Sequence, residues 1–251
     1  MKIFDLDFPN IGMKFCEKRE YAEDIAKGII YMKESGYFRK LEDTYRGDSF
    51  DGISPVDLDG ETAALETNDG ERIEFIISGV MKIGFERDDK LPIFCATLLS
   101  EDILELNEKL SDTEYRAKFK DEFVTEISKF GKYVVIFNID DFISKMETFL
   151  KSKKVVGMSG PIKYVEITKE YNESIISNHE HNQYECFFKK DKSYKLQNEW
   201  RTILIDENHT LIDSNSDFYV MRLEQLHQAQ IVDIKFLKQE DFIISIVENA
   251  E

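Results

Sequence analysis

Breaks are scarce in this chain. Its 251 residues include four prolines and twelve glycines, too few for long flexible linkers. Three cysteines, Cys16, Cys95 and Cys186, lie far apart among apolar neighbours. An odd set at such spacing makes no disulfide framework and reads as buried free thiols in a reducing compartment. The longest apolar runs reach about seven residues, well short of the ~20 that span a bilayer. Met1 to Phe8 mixes charged and apolar residues and shows no signal-peptide core. The expectation is a cytoplasmic protein with no membrane partner. No metal-ligand spacing, phosphate loop or nucleophile elbow occurs. Glu185 with Lys189, and Glu166 with Lys169, miss the spacing of a metal nuclease. The thiols lack the exposed setting that a cysteine hydrolase requires.

Aromatic and acidic residues are what the chain has in quantity. Nineteen Phe, eleven Tyr and a hydrophobic content of 42% are ample for a core, which excludes a disordered chain. The net charge of −17 disfavours direct contact with phosphate backbones or anionic lipid. It fits an ordinary acidic soluble protein or, more sharply, one that binds a basic partner as a DNA mimic does, although the acids are spread along the chain and not blocked. With no internal repeat and no composition break, the expectation is a single domain over 1–251.

Patterning places the elements. Met1–Phe8 reads as a strand, and Phe15-Cys16 as part of another. Glu20–Lys27 reads as a helix with Tyr21, Ala22, Ile25 and Ala26 on one face, stopped at Gly28. Ile29–Met32 reads as a strand and Asp43–Gly60 as loop. Ile73–Glu86 reads as strand–turn–strand about Ser78-Gly79, and Pro92–Leu98 as a buried strand. Asp112–Phe130 reads as a helix whose stripe is Tyr115, Phe119, Phe123, Ile127 and Phe130. Tyr133–Ile139 is a central strand, followed by a helix with Asp140 as N-cap and Phe142, Ile143, Met146, Phe149 and Leu150 inward. Val155–Met158 and Ile162–Ile167 read as strands. So do Tyr184–Phe188, Glu199–Ile205, Phe218–Leu223 and Ile231–Leu237. Asn172–Gln183 reads as an exposed loop or helix end, its His179 and His181 lacking further metal ligands. Strands in runs with isolated helices predict an α+β fold: a bent, mostly antiparallel sheet with a few amphipathic helices.

Two stretches concentrate charge. Tyr37–Gly52 packs Arg39, Lys40, Arg46, Glu42, Asp43, Asp48 and Asp51 between aromatics. No buried element carries such density unpaired. Asn198-Glu199-Trp200-Arg201 reads as strand, with Trp200 inward and Glu199 and Arg201 together on the other face, toward a cleft or solvent. Two roles are open for that pair. One is a structural ion pair joined to the charges of Tyr37–Gly52. The other is a cleft carboxylate, steadied by arginine, that stabilises positive charge in a transition state. Either way the two stretches are expected to meet.

The order Gly28, Tyr31, Tyr37-Phe38-Arg39, Leu41-Glu42, Arg46-Gly47-Asp48, Gly52 and Glu199-Trp200-Arg201 resembles a family of uncharacterised proteins of phages, prophages and bacterial mobile elements. The layout also distantly resembles ADP-ribosyltransferase-like toxins. That second resemblance implies NAD as cofactor, Glu199 as the catalytic carboxylate and Arg39 or Arg46 as a diphosphate contact. Tyr37, Asp48 and Arg201 complete the implied binding set. The Ser-Thr-Ser strand motif and Glu-x-Glu pair of that family are absent. The competing expectation is a non-enzymatic acidic protein that inhibits a host nuclease or defence system, of the anti-CRISPR or DNA-mimic type.

Overall fold

β-Branched and aromatic runs with alternating burial build a large sheet at the centre of the molecule. The computed structural model describes residues 10–41, 48–49, 51–67, 70–83, 86–112, 114–151, 153–166, 184–206, 208, 210–239 and 241–245. Strand β1 (Ile11–Cys16) leads into helix α1 (Arg19–Ala26), β2 (Ile29–Glu34) and α2 (Ser35–Lys40). Four short strands follow: β3 (Ser54–Asp57), β4 (Thr62–Glu66), β5 (Arg72–Ile76) and β6 (Val80–Ile83). Next come β7 (Pro92–Leu98), β8 (Leu104–Lys109), β9 (Glu114–Phe119), α3 (Asp121–Ile127), β10 (Tyr133–Asn138) and α4 (Ile139–Leu150). They are followed by β11 (Val155–Pro161), β12 (Lys163–Val165), β13 (Lys189–Asp191) and β14 (Glu199–Asp206). The last elements are β15 (Phe218–Arg222), β16 (Gln230–Asp233), α5 (Ile234–Gln239) and β17 (Phe242–Ser245).

Eight strands form the main sheet, in the order β11-β14-β7-β1-β10-β16, with β2 also on β7 and β15 on β2. Every pairing in it is antiparallel. The fold is α+β, as the mixture of strand runs and isolated helices leads one to expect. Helices α1 and α4 cover one face, over a core of Phe94, Val135, Phe137, Phe142, Trp200 and Leu204. The opposite face is shared. Under β1 and β10 it packs on the small β17-β9-β8 sheet and α3. Under β7 and β14 it meets Phe38 of α2 and the 3-10 turn Glu185–Phe188, through Ile93, Ile203 and Phe187. Strand β14 is therefore buried on both sides.

Several expectations change. Residues 114–119 are a strand and not the start of a helix. Tyr115, Ala117 and Phe119 are buried in alternation, between partners β8 and β17. Tyr184–Phe188 is not a strand but holds the 3-10 turn, and Ile231–Leu237 divides into β16 and α5. Tyr21 is exposed while Ala22 and Ile25 are buried. The N-cap of α4 is Asn138 rather than Asp140; its side chain accepts the Asp141 N–H at 2.8 Å. The strand expected at Met1–Phe8 and the loop at Asn172–Gln183 lie outside the described residues. Among the described residues no helix is long and apolar enough to cross a membrane.

The region read as loop and then as strand–turn–strand is one long hairpin arm. Strand β5 pairs with β4 and β6 with β3, so the expected Ser78-Gly79 turn is a mid-arm irregularity. The ladder continues between them through Leu58 N–H to Gly79 O and Gly60 N–H to Ile77 O, each 3.0 Å. Its end closes at Thr67–Glu71. Ile77 O accepts from Gly60, and Ile77 N–H donates to Glu61 O at 2.8 Å. Two residues thus oppose one, a β-bulge whose first residue is Gly60 at φ +84°, a backbone region that glycine enters without steric penalty.

Candidate functional site

The two charged stretches meet on the buried side of β14. Antiparallel pairing sets Arg201 opposite Cys95 on β7 and Gly160 on β11. Alternation sends Trp200 to the α4 side, where its ring lies edge-on to Phe142, and sends Glu199 and Arg201 to the other. Among the described residues the charged groups that meet on that side, Asp51, Glu199 and Arg201, are all buried. Arg201 is 1% exposed and Asp51 0%. The expected orientation toward a cleft or solvent is corrected: the tight turn Glu185–Phe188 and the buried Asp51 and Gly52 close over the strand.

Asp51 reaches Arg201 from a backbone that only glycine completes easily. Gly52 has φ +65°, and a Cβ there would lie 2.3 Å from the Phe187 ring. The segment is tied back by the Asp51 N–H to Asp48 O bond of 3.0 Å. From α2, Arg39 donates to Asp51 O at 2.6 Å and also to the Asp89 carboxylate.

The side chains then form a chain of alternating charge. Arg201 Nη1 and Nη2 donate to Asp51 Oδ1 and Oδ2 at 2.6 and 3.0 Å, a two-pronged contact. Arg201 also donates from Nη1 to Phe187 O at 2.7 Å and from Nε to Glu199 Oε1 at 2.8 Å. Glu199 Oε2 accepts from Lys190 Nζ at 2.7 Å, and Lys190 donates onward to Gln197 Oε1 at 3.1 Å. The Glu199 N–H donates to Tyr164 Oη at 2.8 Å. Two cations and two anions alternate and cancel.

Protonation follows from this order. Burial alone would raise the Glu199 carboxyl, but Arg201 and Lys190 beside it hold it well below the usual carboxylate range. Burial would lower Lys190, and Glu199 overcomes that and raises it. Arg201, held by Asp51 and Glu199, stays protonated. Burial pushes the thiols of Cys95 and Cys186 up to about 12 each, so both are neutral and poor nucleophiles. The Cys16 thiol is buried and raised as well.

The structure gathers part of the expected set. Glu199, Arg201 and Asp51 are in direct contact, and Arg39 joins them through the Asp51 carbonyl. Asp48 is buried in the same segment. Tyr37 stands apart, its ring under the Lys33 ammonium at 4.4 Å. Arg46 lies outside the described residues. Lys190 and Tyr164 are members that the sequence did not single out. Lys190 looks like its neighbour Lys189, which pairs with Glu185. Only alternation on a three-residue strand distinguishes the fully buried lysine from its partly buried neighbour. Among the described residues no group of three or more His, Cys, Asp or Glu is placed to hold a metal ion.

Chemically, the cluster is saturated. Each Glu199 oxygen has a cationic donor, and a substrate could engage it only by displacing Arg201 or Lys190. No family model, curated protein or solved structure matches this chain.

Proposed function

We propose that the protein works by binding, as a non-enzymatic acidic protein that occupies a basic surface of a host nuclease or defence protein. One observation carries this reading: the residues best suited to catalysis spend their charge on one another inside the fold. Because Asp51, Arg201, Glu199 and Lys190 cancel, the whole net charge of −17 belongs to the other residues. Charge of that size on one partner speeds association with an oppositely charged surface and opposes wrong partners. An NAD-dependent transferase would instead need Glu199 to leave two buried cations during each turnover, and this is costly.

The test pairs two assays on one sample. DNA-cleaving enzymes from a bacterial host are titrated with the protein at low and high salt, and nicotinamide release from NAD is followed in parallel. Inhibition that weakens with salt, without nicotinamide release, is expected. Nicotinamide release that disappears in Glu199→Gln, at an unchanged melting temperature, would overturn the proposal in favour of the transferase.

A further inference from the structure

The hairpin arm carries apolar side chains where a free surface has no use for them. On β4 and β5 the register sets Ala63 opposite Phe75 and Leu65 opposite Ile73. Directly opposed residues share a face, so Ala63, Ile73 and Phe75 lie on one side of the ribbon. The other side carries Glu66 opposite Arg72, Ala64 opposite Glu74 and Thr62 opposite Ile76, with Arg72 and Glu74 paired at 3.1 Å. Ile73 is 55% exposed and Phe75 43%. Neither belongs to a buried cluster of the described residues. An isolated two-stranded ribbon is marginal in water without an apolar surface to pack on, and a contiguous exposed apolar face marks an interaction site.

Charge identifies the occupant. Seven acidic and two basic residues lie between Ser54 and Ile83, a net −5. Glu61, Glu66, Glu71 and Glu74 are all exposed there. A second copy would set −5 against −5, and like charges across an interface oppose association. We infer that the arm is the docking element of the proposed activity, and that its apolar face seats on an apolar patch ringed by lysine and arginine on a partner protein. The inference rests on the binding function proposed above and assigns it to one part of the chain.

The probe is a dye-labelled peptide of alternating leucine and lysine, with a serine–lysine peptide as the purely electrostatic control. Fluorescence anisotropy is read on the full chain, on an Ile73→Ser/Phe75→Ser double variant and on Phe75→Leu, with solution mass by light scattering. The wild type should be a monomer that binds the leucine–lysine peptide more tightly. The double variant should lose about tenfold or more of that affinity, or ~1.4 kcal/mol, with its melting temperature kept. Phe75→Leu should retain binding. Equal binding of both peptides by wild type and double variant would overturn the arm while leaving the acidic-binding function intact. A wild-type dimer that becomes a monomer in the double variant would replace the basic partner by a second copy. Binding of neither peptide would sink both the arm and the function it serves.

Discussion

The interior of β14 and the end of the hairpin arm invert the usual arrangement in opposite ways. Around Arg201 the molecule buries four charges. Along β5 it exposes Ile73, Phe75 and Ile76, the last 74% exposed. The charges inside are fully engaged with each other, so that region is complete within the chain. The apolar groups outside have no such resolution among the described residues. Burial alone therefore does not identify a working surface; what matters is whether a group's physical demand is met within the chain.

The contrast breaks most visibly at Arg201. Arg201→Ala leaves Asp51 and Glu199 buried with one shared cation gone, and should cost about 5 kcal/mol, the upper end for unpairing a buried charge. Urea unfolding measures it, and a loss no larger than that of a surface mutation would mean the network is wet. Glu199→Gln keeps shape and some hydrogen bonding, and should cost about 3 kcal/mol. Its pH dependence sharpens the point. The folded-state carboxyl is held below a glutamate's ordinary 4.5, so its contribution is full above that pH and declines as the solution becomes more acid. The gap between wild type and Glu199→Gln in melting temperature should narrow below pH 4.5 and hold constant near neutrality.

Gly52→Ala should cost about 1–2 kcal/mol from the left-handed backbone alone, with more from the Phe187 contact. Calorimetry on Gly52→Ala beside Arg201→Ala should show the smaller drop for the glycine. Smallest of all, the Ile73→Ser/Phe75→Ser double variant should stay within about 0.5 kcal/mol per site, as surface positions do. A large destabilisation there would show that the arm's apolar face already packs on the body.

The main sheet was legible because its strands carry one unambiguous period. Tyr133–Asn138 and Pro92–Leu98 alternate or run apolar, and Glu199-Trp200-Arg201 separates by parity into a ring side and a charged side. The meeting of that strand with Tyr37–Gly52 was readable too, since neither stretch could bury its charge alone. Residues 114–119 were not readable as strand. Tyr115, Phe119 and Phe123 are four apart, a spacing that fits a helical turn and is also even, so both periods accept it. The deciding residue is Ala117, fully buried between two of them and too small to register as a signal. The hairpin was misjudged because Ser78-Gly79 has turn chemistry, whereas the real closure at Thr67–Glu71 lay in a polar run with no apolar flank to mark it. The depth of the Glu199–Arg201 pair could not be read either, since what meets it, Asp51, Tyr164, Phe187 and Lys190, comes from other stretches of the chain.

The bulge at Gly60 and Glu61 bends the arm between its base and its far half. From Glu61 to Thr67 the strand extends about 20 Å at ~3.4 Å per residue. Charge is screened within about 8 Å at physiological ionic strength. The acids near the turn are thus electrically decoupled from those at the base of the arm. In the binding function proposed above, the exposed Glu66 and Glu71 near the turn would act on a partner separately from the acids at the base. Encounter rate and final affinity can then be tuned by different residues of one chain.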